Sequence, residues 1–104
     1  MSVELLDVIQ PSVFKEQLAA GSVTDTVIQA GTKGLVITLK IGKNGFVLGR
    51  TRGGIRYFHA IDGAASVLIQ HGITSFFVDT NGWLPRTLTK NPKRSSPGGN
   101  VWGL

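Results

Sequence analysis

One stretch decides the fold: Leu35-Val36-Ile37-Thr38-Leu39-Lys40-Ile41. Its apolar side chains alternate and its β-branched residues are many, which is typical of a strand with a buried face. Successive side chains of a strand point to opposite faces, so four of these residues share the face that packs on the core: Leu35, Ile37, Leu39 and Ile41. We therefore expect a central β-strand over residues 35–41.

The flanking sequence predicts more strands around this one. Lys43-Asn44-Gly45 indicates a hairpin turn, because Asn-Gly accepts positive φ at low cost. Gly53-Gly54 indicates a second turn. Strands are expected on either side of these turns and near the end of the ordered region, over residues 26–29, 46–51, 55–58 and 75–79.

Two segments have the signals of helices. Over residues 11–20, Pro11 suits a first turn, Ser12 is a candidate N-cap, and Gly21 supplies a left-handed stop. Over residues 61–71, ending at Gly72, a helical stripe of apolar residues recurs at the spacing of a buried face: Ile61, Ala64, Ala65 and Leu68.

The sequence thus predicts an α+β fold. We expect an antiparallel β-meander of four to five strands with two helices packed on one face, in the order α-β-β-β-β-α-β. Residues 1–84 are expected to form a single domain. From Pro85 onward there are three prolines and no apolar period, so residues 85–104 are interpreted as a flexible basic tail.

Composition narrows the class of protein. The chain has 104 residues, of which 41% are hydrophobic, enough for one packed core. It has no cysteine, which rules out disulfides and thiolate metal sites. The acidic N-terminus lacks the layout of a signal peptide, and no apolar run approaches the roughly 20 residues of a membrane span. We expect a cytoplasmic protein that does not enter a membrane.

Charge is unevenly distributed along the chain. Residues 1–32 carry four acids and one base, whereas residues 33–104 carry ten bases and two acids. Between Lys33 and Arg56 there are six bases and no acid. This asymmetry favours contact with a polyanion or an acidic partner, although a solvated surface has the same composition.

Glycine-rich segments, two histidines with an aspartate, and a serine are the candidates for cofactor, metal or nucleophilic chemistry. The glycine-rich segments 31–34 and 49–54 match neither the P-loop nor the dinucleotide fingerprint, and are interpreted as turns. His59, Asp62 and His71 lie on different elements and are not expected to converge on a metal. Ser66 lacks the strand-to-helix elbow of a nucleophile. No cofactor, metal or catalytic residue is predicted.

One enzymatic alternative stays open. Metal-independent RNases of toxin type use basic side chains, tyrosine and histidine to polarise phosphate and move protons. Tyr57 and His59 lie in the same predicted hairpin as three arginines, Arg50, Arg52 and Arg56. An ordinary basic hairpin has the same residues and is the favoured interpretation.

The middle of the chain resembles a known family. The residues that carry the resemblance are Thr51-Arg52-Gly53-Gly54-Ile55-Arg56-Tyr57-Phe58, Ile61-Asp62-Gly63-Ala64-Ala65, Gly72-Ile73 and Phe77-Val78-Asp79. They are similar to small plasmid-encoded accessory proteins of the ParC-type, partition-associated family. The resemblance implies a non-enzymatic role in plasmid partition or maintenance, near DNA or a DNA-bound partner, and identifies no binding residues.

The leading hypothesis is therefore an accessory protein that binds DNA or a protein–DNA assembly. Phosphate contacts are expected from the basic meander and the tail, and the candidate residues are Lys40, Lys43, Arg50, Arg52, Arg56, Lys93 and Arg94. A protein-interaction module without nucleic-acid contact, which uses a sheet edge or the Trp102 terminus, is the first alternative. The toxin-type RNase is the second.

Overall fold

The computed structural model describes residues 3–84. A short 3₁₀ turn at Val3–Leu5 precedes five strands and two helices. The elements are β1 (Asp7–Ile9), α1 (Pro11–Ala19), β2 (Val23–Ala30), β3 (Leu35–Ile41), β4 (Asn44–Leu48), α2 (Ile61–Gln70) and β5 (Phe77–Asp79). The α+β class, with two helices, is confirmed. The order is β-α-β-β-β-α-β, so it differs from the predicted order at the start and in the middle.

The five strands form one mixed sheet in the order β1-β4-β3-β2-β5. The central strand β3 is antiparallel to both β2 and β4, as expected. The edge strands are different: β1 is parallel to β4, and β5 is parallel to β2. The predicted antiparallel meander is therefore wrong at both edges. Helical crossovers are the physical reason, because α1 follows β1 and α2 precedes β5, and such connections permit parallel pairing.

Two segments account for the altered order. β1 was not predicted, because three residues give too short an alternating pattern to distinguish a strand. Residues 55–58 were predicted as a strand and do not form one. Ile55 pairs with Gly49 beyond the end of β4, and Phe58 pairs with Leu35 at the start of β3. The segment thus crosses from one strand to another and makes a single bridge to each.

The β3–β4 hairpin turns earlier than predicted. Ile41 pairs with Asn44, so the turn consists of Gly42 and Lys43. Gly42 has φ of 64°, which supplies the positive φ that a two-residue turn needs. The prediction at Lys43-Asn44-Gly45 is therefore wrong, because Asn44 and Gly45 belong to β4.

Both helices begin and end close to the predicted residues, but the N-cap of α1 is a different residue from the one predicted. Gln10 is the N-cap residue and makes no side-chain cap bond, while Ser12 lies inside the helix. The predicted Ser12 cap is wrong, because Pro11 already occupies the first helical position. At the end of α2, the Gly72 N–H donates to Ile69 O at 2.9 Å, and the Ile73 N–H to Leu68 O at 2.9 Å. This pair of bonds is a Schellman motif.

The helices pack on the same face of the sheet. Phe14 of α1 and Leu68 of α2 are fully buried in one cluster with Ile37 of β3. The predicted inward face of β3 is confirmed, since Leu35, Ile37 and Leu39 all belong to this cluster. The predicted stripe of α2 is confirmed too: Ala64 and Leu68 are buried, and Ile61 and Ala65 pack beside them.

The opposite face of the sheet is partly covered by the N-terminal segment. Val36 and Val47 are fully buried on this side. One Glu4 carboxylate oxygen accepts hydrogen bonds from the Thr32 backbone N–H at 2.6 Å, from the Thr32 hydroxyl at 3.1 Å and from the Tyr57 hydroxyl at 2.8 Å. These hydrogen bonds attach the N-terminal segment to the two loops that contain Thr32 and Tyr57. Within residues 3–84, no helix is long and apolar enough to cross a membrane.

Candidate nucleic-acid interface

Three of the predicted arginines lie in one ordered loop, residues 49–58, which we call the arginine loop. The Arg50 N–H donates to Gly54 O at 2.9 Å, and the Gly53 N–H donates back to Arg50 O at 2.9 Å. The Arg50 side chain is held as well, because its Nε donates to Gly53 O at 3.0 Å. Arg50 therefore braces the loop through both its backbone and its side chain.

The base of the arginine loop needs a residue without a side chain. A Cβ on Gly49 would stand 2.4 Å from Val8 Cγ1 and 2.8 Å from Gly54 O. Neither distance is compatible with a real Cβ, and the second neighbour is backbone. Gly49 thus allows β1, β4 and the arginine loop to approach one another closely.

The other two arginines of the loop have different environments. Arg56 is anchored, since its backbone N–H donates to Leu48 O at 3.1 Å and its guanidinium carbon lies 4.8 Å from the centre of the Phe58 ring. This distance is within the range of a cation–π contact. Arg52 lies in the turn at the tip of the loop and is exposed. The loop therefore presents two anchored cations, Arg50 and Arg56, together with the exposed Arg52.

A fourth cation joins the arginine loop from another part of the chain. Lys33 lies in the turn between β2 and β3, and it lines a cleft of about 510 Å³ together with Arg50, Ile55 and Tyr57. A second cleft, of about 480 Å³, lies beside it and contains Arg50, Arg56 and Tyr57. Sequence reasoning did not select Lys33 as a site residue. Its only signal was that it opens the run of six bases without an acid.

The remaining predicted residues are not in this cluster. Lys40 and Lys43 are exposed near the opposite end of the β3–β4 hairpin. Arg50 follows Lys43 by the length of β4, which is about 20 Å at the rise of a β-strand. The structure therefore places the predicted basic residues of the meander at two opposite ends of the β3–β4 hairpin. Lys93 and Arg94 lie outside the described residues.

The formal charge of the described residues is small. Residues 3–84 contain seven bases and six acids, a net charge of +1, whereas residues 85–104 contain four bases and no acid. Residues 3–84 therefore attract a polyanion only weakly at long range. Any attraction that they exert at short range depends on the local cluster of cations around the arginine loop.

Tyr57 and the histidines were the other candidates for chemistry. Partial burial is the main cause that raises the pKa of the Tyr57 phenol above its ordinary value of 10.0. The Thr32 hydrogen bond opposes this effect, and the hydrogen bond and charge of Glu4 add to it. A phenol held in its protonated form is a poor general base. The His71 ring is structural: it lies 5.3 Å from the Phe14 ring, and its Nδ1 donates to Val67 O at 2.8 Å. His59 is exposed.

Metal ligands do not cluster in the part of the chain that the structure describes. Within residues 3–84, no group of three or more histidine, aspartate, glutamate or cysteine side chains is arranged to hold a metal ion.

Comparison with known proteins identifies the family. The model of the ParC-like family matches residues 9–87, about three quarters of the chain. The chain belongs to the ParC-like family. The match runs from the end of β1 past β5, so it includes the arginine loop and both ends of the β3–β4 hairpin. No curated protein and no solved structure matches the chain.

Proposed function

We propose that this ParC-like protein is a non-enzymatic accessory protein of plasmid partition or maintenance. It binds DNA, or a protein–DNA assembly, through the arginine loop, to which residues 85–104 add further positive charge. The observation that carries the proposal is the convergence of Lys33 with Arg50 and Arg56 around two adjoining clefts, beside the exposed Arg52 at the tip of the loop.

The details of the cluster support contact with phosphates. Arg50 and Arg56 are held by backbone and ring contacts, so less side-chain freedom is lost when they bind. Arginine presents a planar fork of donors that matches phosphate oxygens. Arg52, at the tip of the loop, is exposed to solvent. Such contacts position a protein on a duplex without reading its sequence.

The salt dependence of DNA binding tests this proposal. Each phosphate contact releases counterions, so Arg52→Ala is expected to lower the slope of log affinity against log salt concentration by about 0.7–0.9. The measurement is a titration of labelled duplex DNA over a series of salt concentrations. Lys15→Ala is the matched control, because Lys15 is an exposed cation on α1, outside the arginine loop.

Two results would count against the proposal. An unchanged slope in Arg52→Ala would remove the arginine loop from the interface and leave residues 85–104 as the source of affinity. Absence of DNA binding by the wild-type chain even at low salt would reject direct nucleic-acid contact. A protein-interaction module would then be the better description.

A further inference from the structure

We infer that the free edge of β1 binds an extended peptide segment of a partner protein, in which acidic and apolar side chains alternate. The peptide adds as a sixth strand beside β1. This goes beyond the proposed nucleic-acid contact, because it assigns a different ligand to a different element.

The first observation is the hydrogen-bonding capacity of β1. It is an edge strand, with β4 as its neighbour in the sheet. The Ile9 carbonyl accepts the Gly49 N–H at 2.9 Å, so the backbone of Ile9 faces β4. In a parallel pair the backbone groups of the adjacent residue point the other way. The N–H and C=O of Val8 therefore point to the outer edge, where an added strand would bind them.

The second observation is that β1 lies between two clefts, one on each face of the sheet. On the helix side is an apolar groove of about 330 Å³, whose walls include Val13 of α1 and two strand residues, Ile41 and Phe46. On the other side, Val8 borders the 510 Å³ cleft that contains Lys33 and Arg50. Alternate side chains of an added strand would enter the two clefts in turn.

The chemistry of the two clefts specifies the occupant. The helix-side groove offers aliphatic and aromatic carbon, so it suits valine, isoleucine or leucine. The opposite cleft has an ammonium group and a guanidinium group beside Ile55 and Tyr57, so it suits glutamate or aspartate. A peptide with apolar residues on one face and carboxylates on the other matches both.

The opposite edge of the sheet provides an internal comparison. β5 is also an edge strand, and Phe77 is 74% exposed there. The cleft at that end, of about 250 Å³, is lined by carboxylates of Glu4 and Asp79 with no cation. An acidic peptide is repelled there, which makes β1 the preferred edge.

The experiment is an NMR titration of the full-length ¹⁵N-labelled chain with a synthetic peptide that alternates valine and glutamate. Amide shifts are expected at residues 7–10 and in the arginine loop, with little change at residues 77–79. A peptide that alternates valine and lysine is expected to bind about tenfold more weakly, because its ammonium groups would face Lys33 and Arg50.

Variants separate strand addition from simple charge attraction. Val8→Pro removes the outward N–H without breaking a bond to β4, and it should weaken peptide binding about five- to tenfold. Arg50→Ala should weaken it about three- to fivefold. Val13→Glu, which alters an exposed residue of α1 and places a carboxylate in the apolar groove, is a second test if Val8→Pro does not fold.

DNA binding distinguishes this inference from the proposed function. Arg52→Ala should reduce the DNA salt slope and leave peptide affinity within about twofold, because Arg52 lines neither cleft. Val8→Pro should leave the DNA salt slope unchanged. Shifts confined to residues 77–79, or wild-type peptide affinity in a folded Val8→Pro or Val13→Glu variant, would overturn the inference.

Discussion

The two ends of the β3–β4 hairpin carry similar charge and differ in how that charge is held. At one end, Lys40 and Lys43 are exposed beside the Gly42 turn. At the other end, Arg50 is bonded to the backbone of its own loop and Arg56 lies over an aromatic ring. A run of bases in a sequence therefore does not make a site by itself. The candidate site is the place where tertiary contacts fix the cations and add another one, Lys33.

The largest expected difference between the two ends of the hairpin is the space that each leaves for a side chain. Gly45, within β4, and Gly49, just after it, form a matched pair that tests this difference. Gly49→Ala is expected to destabilise the fold by on the order of 1–3 kcal/mol, because its Cβ would overlap Val8 and the backbone of Gly54. Gly45→Ala should change stability by no more than about 0.5 kcal/mol, since its nearest neighbour is the flexible end of Leu6 at 3.2 Å. Urea denaturation of both variants gives the two values.

Equal effects of the two glycine substitutions would break the comparison. A large loss at both positions would mean that β4 tolerates no added atom anywhere along this face. A small loss at both would mean that β1 and the arginine loop move apart readily, and the two clefts would then lose their defined walls.

The outcome for β3 and the helix ends shows what local sequence specifies. Alternation in Leu35–Ile41 is a property of the strand itself, and it correctly located the core. Gly21 and Gly72 end their helices because their φ values, 74° and 86°, are costly for other residues. These features depend on the residue and its neighbours along the chain. The sequence alone was therefore sufficient to predict them.

The candidate site depended on contacts that the sequence does not record. Lys33 reaches the arginine loop because Leu35, two residues later, exchanges backbone hydrogen bonds with Phe58, at 2.9 and 2.8 Å. Ile55 lines the clefts because it forms a β-bridge with Gly49, just beyond the end of β4. The parallel β1 edge arises from a helical crossover. Each is a pairing between distant segments, so the run of bases does not show how the cations of the loop are arranged.

The second difference between the two ends concerns DNA. The double variant Arg52→Ala with Arg56→Ala should lower the log–log salt slope by about 1.4–1.8, the sum for two lost phosphate contacts. The matched double variant Lys40→Ala with Lys43→Ala removes the same charge from the other end of the hairpin. We expect it to change the slope by less than half of that amount. Labelled duplex DNA and a salt series serve for both variants.

Equal slopes in the two double variants would show that only net charge matters. The arginine loop would then be no more than a part of a diffuse basic surface. A larger change in the lysine variant would place the interface at the Gly42 turn, and the proposed site would have to be abandoned in favour of that end.

The smallest expected effect concerns how the arginine-loop end is fastened to the N-terminal segment. Burial, with a further contribution from the Glu4 carboxylate, raises the folded-state pKa of Tyr57 above 10.0, so the protonated phenol contributes stability that is fully present below pH 10 and is lost as the pH rises through the folded-state pKa. Tyr57 is the single tyrosine of the chain, so phenolate absorbance follows this one group.

Glu4→Gln removes the carboxylate charge that disfavours phenolate, and the titration should move toward 10.0. Glu16→Gln, an exposed acid on α1, should leave the titration unchanged. The free energy of unfolding, measured across the same alkaline range, should fall less steeply with pH in Glu4→Gln than in the wild type. A wild-type phenol that titrates at or below 10.0 would mean that the Glu4 contact is not maintained in solution, and the arginine loop would then be tethered only by its bridges to β3 and β4.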